Sequence, residues 1–166
     1  MEENSVAAVC DAGPLIHLSE IGQADLLSQF TPLLVPELVR QEAISFIQPA
    51  DLSIKVVPVS DADREGTSGL ILAKIDAGEL DCLALCLRDK HLLFLTDDLM
   101  ARKEASRLGV PVHGSVGIIV RAFRAGPLTL PQADEALGAL GECRSLFISK
   151  TIMELGREQL RCGGVI

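Results

Sequence analysis

Val6-Ala7-Ala8-Val9-Cys10-Asp11-Ala12-Gly13-Pro14 and, much later in the chain, Leu92-Leu93-Phe94-Leu95-Thr96-Asp97-Asp98 are built alike: an unbroken apolar run stops abruptly at carboxylates. Short apolar runs without alternation suit strands buried on both faces, the pattern of a parallel sheet covered by helices. Each run therefore predicts a buried strand that delivers acid at its C-terminal end. In open α/β sheets, ligands bind outside those carboxyl ends. Asp11, Asp97 and Asp98 thus fall at the edge where a site is expected.

Outward from these two strands, strand and helix alternate. Leu15, Ile16, Leu18, Ile21, Leu26, Leu27 and Phe30 follow helical spacing, with Gly22 marking a break between two helices. Thr31 to Val35 reads as a second strand, and Pro36 suits the first turn of a helix from Glu37 to Ile47. Ile54 to Val59, with its alternation and Pro58, reads as an edge strand, followed by a polar loop from Asp61 to Gly69. A helix over Gly78 to Arg88 is capped upstream by Asp76. The amphipathic stretch Leu99 to Leu108 closes at Gly109, in the usual place of a helix-ending glycine. Val110 to Val112 is a further short strand, and helices follow over about 116–124, 131–140 and 151–160. The pattern predicts an α/β fold with a mostly parallel central sheet and a C-terminal helical tail.

With 166 residues and 48% hydrophobic side chains, the chain has the size and apolar content of one domain spanning 1–166, its core over about 6–125 and the tail over about 126–166. The net charge of −8 argues against a polybasic module, and the absence of Trp and Tyr leaves five Phe as the aromatic complement. Five cysteines without a C-x-x-C pair indicate neither a disulfide framework nor a zinc site. The acidic start Met1-Glu2-Glu3-Asn4 is unlike a secretory signal, and no apolar run is long enough to span a membrane. The expectation is a cytoplasmic protein without membrane association.

Asp11 and Asp97-Asp98 follow strands, Glu79 and Asp81 open the helix between them, and Glu42 lies in the helix after the second strand. Each has a plain structural reading as a turn former, helix cap or solvated surface acid. If they meet, like charges at close range raise one another's pKa unless a cation neutralises them. All-oxygen ligation selects Mg²⁺ or Mn²⁺, and the chemistry that follows is metal activation of water against a phosphodiester. His17, His91 and His113 read as structural or surface residues, and Cys82 and Cys86 as small core residues. Gly114-Ser115-x-Gly117 before a helix offers a short, unspecific phosphate-binding signal. Arg102, Lys103, Arg107, Arg121 and Arg124 are candidates to hold phosphates, or a solvated helix face.

The order Val9-Cys10-Asp11-Ala12-Gly13-Pro14-Leu15-Ile16, then Val35-Pro36 with Glu42, then Asp76-Ala77-Gly78-Glu79-x-x-Cys82-Leu83-Ala84-Leu85, then Leu95-Thr96-Asp97-Asp98-x-x-Ala101-Arg102-Lys103 resembles the PIN-domain nucleases over roughly residues 6–120. It is closest to a prokaryotic subgroup related to VapC-type toxin ribonucleases. The resemblance implies a three-layer α/β/α sandwich that binds Mg²⁺ or Mn²⁺ and cleaves single-stranded RNA. It maps Asp11, Glu42, Glu79 and Asp98 onto the family's four acids. Asp81 takes the place of Glu79 if the helix is aligned by its apolar face, and Asp97 adjoins the fourth position. The resemblance also implies a homodimer and the toxin of a toxin–antitoxin pair, with an antitoxin protein as partner. The tail residues Leu146, Phe147, Ile148, Ile152, Met153 and Leu155 add apolar surface for self-association.

Two other classes compete. A phospho-accepting receiver also carries acids at strand ends, but it needs a lysine after a late strand, and Val110-Pro111-Val112-His113-Gly114 has none. A catalytically silent PIN-like interaction module is the other alternative, against which the presence of all four acids speaks.

Overall fold

The computed structural model describes residues 5–47 and 52–163, so the reading of Met1 to Asn4 lies outside the described residues. Five strands, β1 (Val6–Cys10), β2 (Phe30–Pro36), β3 (Ile54–Val57), β4 (Leu93–Leu95) and β5 (Val112–His113), form one sheet in the order β3-β2-β1-β4-β5. Every pairing is parallel. The continuous apolar runs are the reason: Ala8, Val9, Cys10, Phe94 and Leu95 are all fully buried, which requires helices on both faces. The helices are α1 (Ala12–Glu20), α2 (Glu37–Ala43), α3 (Asp61–Ser68), α4 (Ala77–Arg88), α5 (Leu99–Arg107), α6 (Ser115–Ala125), α7 (Leu130–Glu142) and α8 (Lys150–Cys162). The result is the three-layer α/β/α arrangement.

The strand order places β1 at the centre, with the chain running outward through β2 and β3 and then returning to the other side of β1 as β4. The crevice between β1 and β4 is therefore the topological switch point, where open α/β sheets bind their ligands. Cys10 pairs with Leu95, and the Asp11 amide donates to the Leu95 carbonyl at 2.9 Å. This register sets Asp11 and Thr96-Asp97-Asp98 side by side at that crevice. Strand β3 lies at the sheet edge and ends before Pro58, which therefore takes no donor from the ladder.

Two expected elements differ. The segment read as a polar loop from Asp61 to Gly69 is α3, because Ser60 accepts a hydrogen bond from the Asp63 amide as an N-cap and Arg64 anchors the helix to α4. It has little apolar periodicity to reveal it; Thr67 is its one buried residue. The second helix expected before Phe30 is a 3-10 helix, Ala24–Gln29, that buries only Leu26 and Leu27.

The tail joins the core. Leu137, Leu140 and Leu160 belong to the same buried cluster as the sheet residues. Helix α8 lies so close to α6 that a Cβ on Gly156 would stand 2.8 Å from Val116 Cγ1, so glycine is required there by close approach. Cys82 and Cys86 are buried in that cluster, as expected. Among the described residues, no helix is long and apolar enough to cross a membrane.

Candidate active site

Asp11 occupies the N-cap position of α1, yet its side chain makes no cap bond to the helix. It is 6% exposed, and Oδ2 accepts a hydrogen bond from Thr96 Oγ1 at 3.0 Å across the β1–β4 crevice. Burial pushes its carboxyl up to about 7; the Ala12 amide and Thr96 hydroxyl oppose this, and the charges of Asp76 and Glu42 add to it.

Glu79 enters from the first turn of α4, where it closes a capping box with Asp76: the Glu79 amide donates to Asp76 Oδ1 at 2.8 Å, and the Asp76 amide donates to Glu79 Oε2 at 2.9 Å. The box uses one oxygen of each side chain. The Glu79 carboxyl is also pushed up to about 7, by burial first and then by the charges of Asp76, Asp11 and Asp98. Glu42, in the last turn of α2, is exposed, and partial desolvation and Asp76 raise its pKa. Asp98 caps α5 through Oδ1 alone, accepting from the Met100 and Ala101 amides at 2.8 Å each. Charge coupling thus links Asp11 to Asp76 and Glu42, and Glu79 to Asp76, Asp11 and Asp98.

Asp76 joins this group and was not among the expected site residues. A Cβ built on Gly78 would meet Asp76 Oδ1 at 3.4 Å and Asp11 Oδ1 at 3.9 Å, so both carboxylates face the same small space. In sequence Asp76 reads only as a helix cap. Its second feature, that it precedes Glu79 by three residues and so must point the same way, was the signal available.

Two expected ligand candidates are engaged elsewhere. Asp81 is 1% exposed and receives both the Nε and Nη2 donors of Arg64, at 2.7 and 2.9 Å, so it locks α4 to α3 and does not join the group. Asp97 accepts from the Ser115 amide at 2.6 Å on Oδ1, and from Ser115 Oγ at 2.6 Å and His17 Nδ1 at 2.7 Å on Oδ2. The same contact accounts for the unspecific phosphate-binding signal at Gly114-Ser115-x-Gly117: the N-terminus of α6 already holds an anion, and that anion is Asp97. His17 is structural, as expected. Arg107 is likewise removed from the phosphate-binding set, because Glu104 and the Leu70 carbonyl take its donors.

Among the described residues, no three carboxylate, imidazole or thiol side chains stand close enough to hold an ion as they are placed. The donor set itself is nevertheless that of a hard divalent cation: carboxylate oxygens, while burial raises the pKa of the neighbouring Cys10 and Cys82 thiols and so keeps them protonated. Two buried carboxyls are held near neutrality by burial and mutual repulsion, which a cation would relieve. The residues fit such an ion.

The chain is thus an α/β protein with a parallel, doubly wound sheet that delivers carboxylates to its switch point, where such folds bind their ligands. A family model described as a PIN domain matches residues 7–160, and the chain belongs to that family. A search of curated proteins finds no match. PIN domains are in general nucleases acting with divalent metals, so the chain is assigned to hydrolases of nucleic acid.

Proposed function

We propose that this protein is a metal-dependent endoribonuclease that cleaves single-stranded RNA, with the chain 1–166 acting as one domain. The observation that supports the reading is a pair of buried acids near the switch point: burial with the charges of Asp76 and Glu42 raises the Asp11 carboxyl, and burial with the charges of Asp76, Asp11 and Asp98 raises that of Glu79. Asp11, Glu79 and Asp98 would hold Mg²⁺ or Mn²⁺, each having an oxygen outside its hydrogen bonds to the protein. When bound, the ion supplies a Lewis acid that polarises the phosphodiester and lowers the pKa of a water nucleophile.

The chain's own groups do the rest. Thr96 Oγ1 donates to Asp11 and accepts from the Asp98 amide at 3.2 Å, so one hydroxyl fixes the acids of β1 and β4 relative to each other. Glu42, which is exposed, is free to take or give a proton at the rim. Asp81 and Asp97 hold the scaffold.

The test is cleavage of a single-stranded RNA pool with Mn²⁺ or Mg²⁺, alone and with chelator, by wild type and Asp11→Asn. Activity that needs the metal and falls about 10²–10³-fold in the variant is expected. Cleavage insensitive to chelator overturns the metal-dependent reading, and no cleavage of any pool overturns it in favour of the silent module. The same reading includes a homodimer, checked by mass in solution, and a toxin role, checked by copurification with a neighbour-encoded antitoxin.

A further inference from the structure

Beside the carboxylates runs a groove of about 1560 Å³, bordered by α5, β5, α6, α8 and residues 146–149. Asp97 lines its end at the crevice, but Asp11, Glu42, Glu79 and Asp98 do not. In a chain of net charge −8, this groove concentrates Arg102, Lys103, Arg121 and Arg124. None of the four forms an ion pair among the described residues. Of the carboxylates on its lining, Asp97 is already engaged with Ser115 and His17. Arg102 and Arg121 also hold the half-buried His113 below its usual pKa, after burial itself, which marks the groove wall as electropositive.

One aromatic ring stands out on the same lining. Phe147 is 94% exposed, whereas its neighbours Leu146 and Ile148 pack against the core. The tail surface expected to drive self-association is therefore smaller than its sequence suggests. A bare ring and unpaired cations on one groove are the combination that holds single strands without reading sequence: cations follow the phosphates, and a base stacks on the ring.

We infer that this groove is the track for the single-stranded RNA substrate outside the cleavage centre, with Arg102, Lys103 and Arg124 on the phosphates and Phe147 as a base-stacking platform. This rests on the nuclease reading for its substrate but on separate residues for its contacts. Arg121 has a second role, since its guanidinium lies 5.6 Å from the centroid of the Phe30 ring and helps to seat α6.

The test is fluorescence anisotropy of a labelled single-stranded RNA with chelator present, on the Asp11→Asn background, so that binding is read without cleavage. Lys103→Ala and Arg124→Ala are expected to weaken binding and to lower the slope of log K against log salt by about 0.7 for each phosphate no longer neutralised. Phe147→Ala is expected to weaken binding about tenfold or more, and the effect should vanish with an abasic strand. Lys55→Ala, on the far edge strand β3, should change nothing. Unchanged affinity in the groove variants while wild type still cleaves overturns the track and spares the nuclease reading. Groove-dependent binding with no metal-dependent cleavage does the reverse. Loss of a dimer mass in Phe147→Ala, with RNA affinity intact, assigns the ring to a second copy of the chain and overturns the track.

Discussion

Ser115 donates twice to Asp97, its amide to Oδ1 and its hydroxyl to Oδ2, both at 2.6 Å, although eighteen residues separate them. The pair seats the carboxylate of the β4–α5 turn on the N-terminus of α6, where the helix dipole favours negative charge. His17 from α1 completes the grip. Asp97 thereby ties three elements together next to Asp98, the acid that faces the site.

This grip makes a stability prediction. Ser115→Ala keeps the amide donor and loses the hydroxyl, and should cost about 1.5–3 kcal/mol, the range for a hydrogen bond to a charged group. Gly114→Ala should also destabilise, because a Cβ there would stand 2.9 Å from Asp97 Oδ1 and 3.4 Å from the Thr96 carbonyl. Urea denaturation of both variants checks this, and wild-type midpoints would exclude Asp97 as the tie.

Asp11→Asn separates a metal site from a turn. Removing one charge from repelling carboxylates should leave the metal-free protein as stable as wild type or more so. A ligand that binds only the native state stabilises it in proportion to the logarithm of its saturation, so Mn²⁺ should raise the melting temperature of wild type and raise that of the variant much less. Equal shifts in calorimetric melts would remove Asp11 from the site.

The metal-free protein should also respond to pH in an unusual direction. Asp11 and Glu79 have folded-state pKa values of about 7, above those of unfolded carboxyls, so folding favours their protonated forms. Their contribution is fully present below about pH 4 and is lost as pH rises towards 7. With chelator, the melting temperature should therefore be higher near pH 5.5 than near pH 7.5, and Asp11→Asn should flatten that difference. A wild-type melting temperature that rises over the same interval would contradict the burial of these acids.

Asp81 supplies the opposite control. Asp81→Ala leaves Arg64 without its buried partner and removes the buried tie between α3 and α4, leaving the exposed Arg88–Asp63 pair, so the melting temperature should drop by several degrees. At a temperature where the variant remains folded, its metal dependence and kcat should match wild type. A selective loss of metal response would return Asp81 to the ligand set.

The strands, their parallel pairing and the acids at their ends were legible because they depend on local pattern: an unbroken apolar run must be buried on both faces, and an acid after it must fall at the sheet's carboxyl edge. The amphipathic helices α5 and α6 were legible for the same reason. Helix α3 was not, because much of what holds it is a charge pair with α4, seventeen residues away, and no periodicity reveals that.

Neighbouring acids show the limit most clearly. Asp97 and Asp98 share one local context, as do Glu79 and Asp81, so composition and spacing leave each pair open. What separates them is where their partners lie: Ser115 and His17 take Asp97, and Arg64 takes Asp81. Asp76 enters the group because a capping box folds its side chain back beside Asp11. Local sequence determined which residues are strands and where acid is delivered. Tertiary structure decided which acids are left free, since a carboxylate's availability depends on donors brought to it from distant parts of the chain.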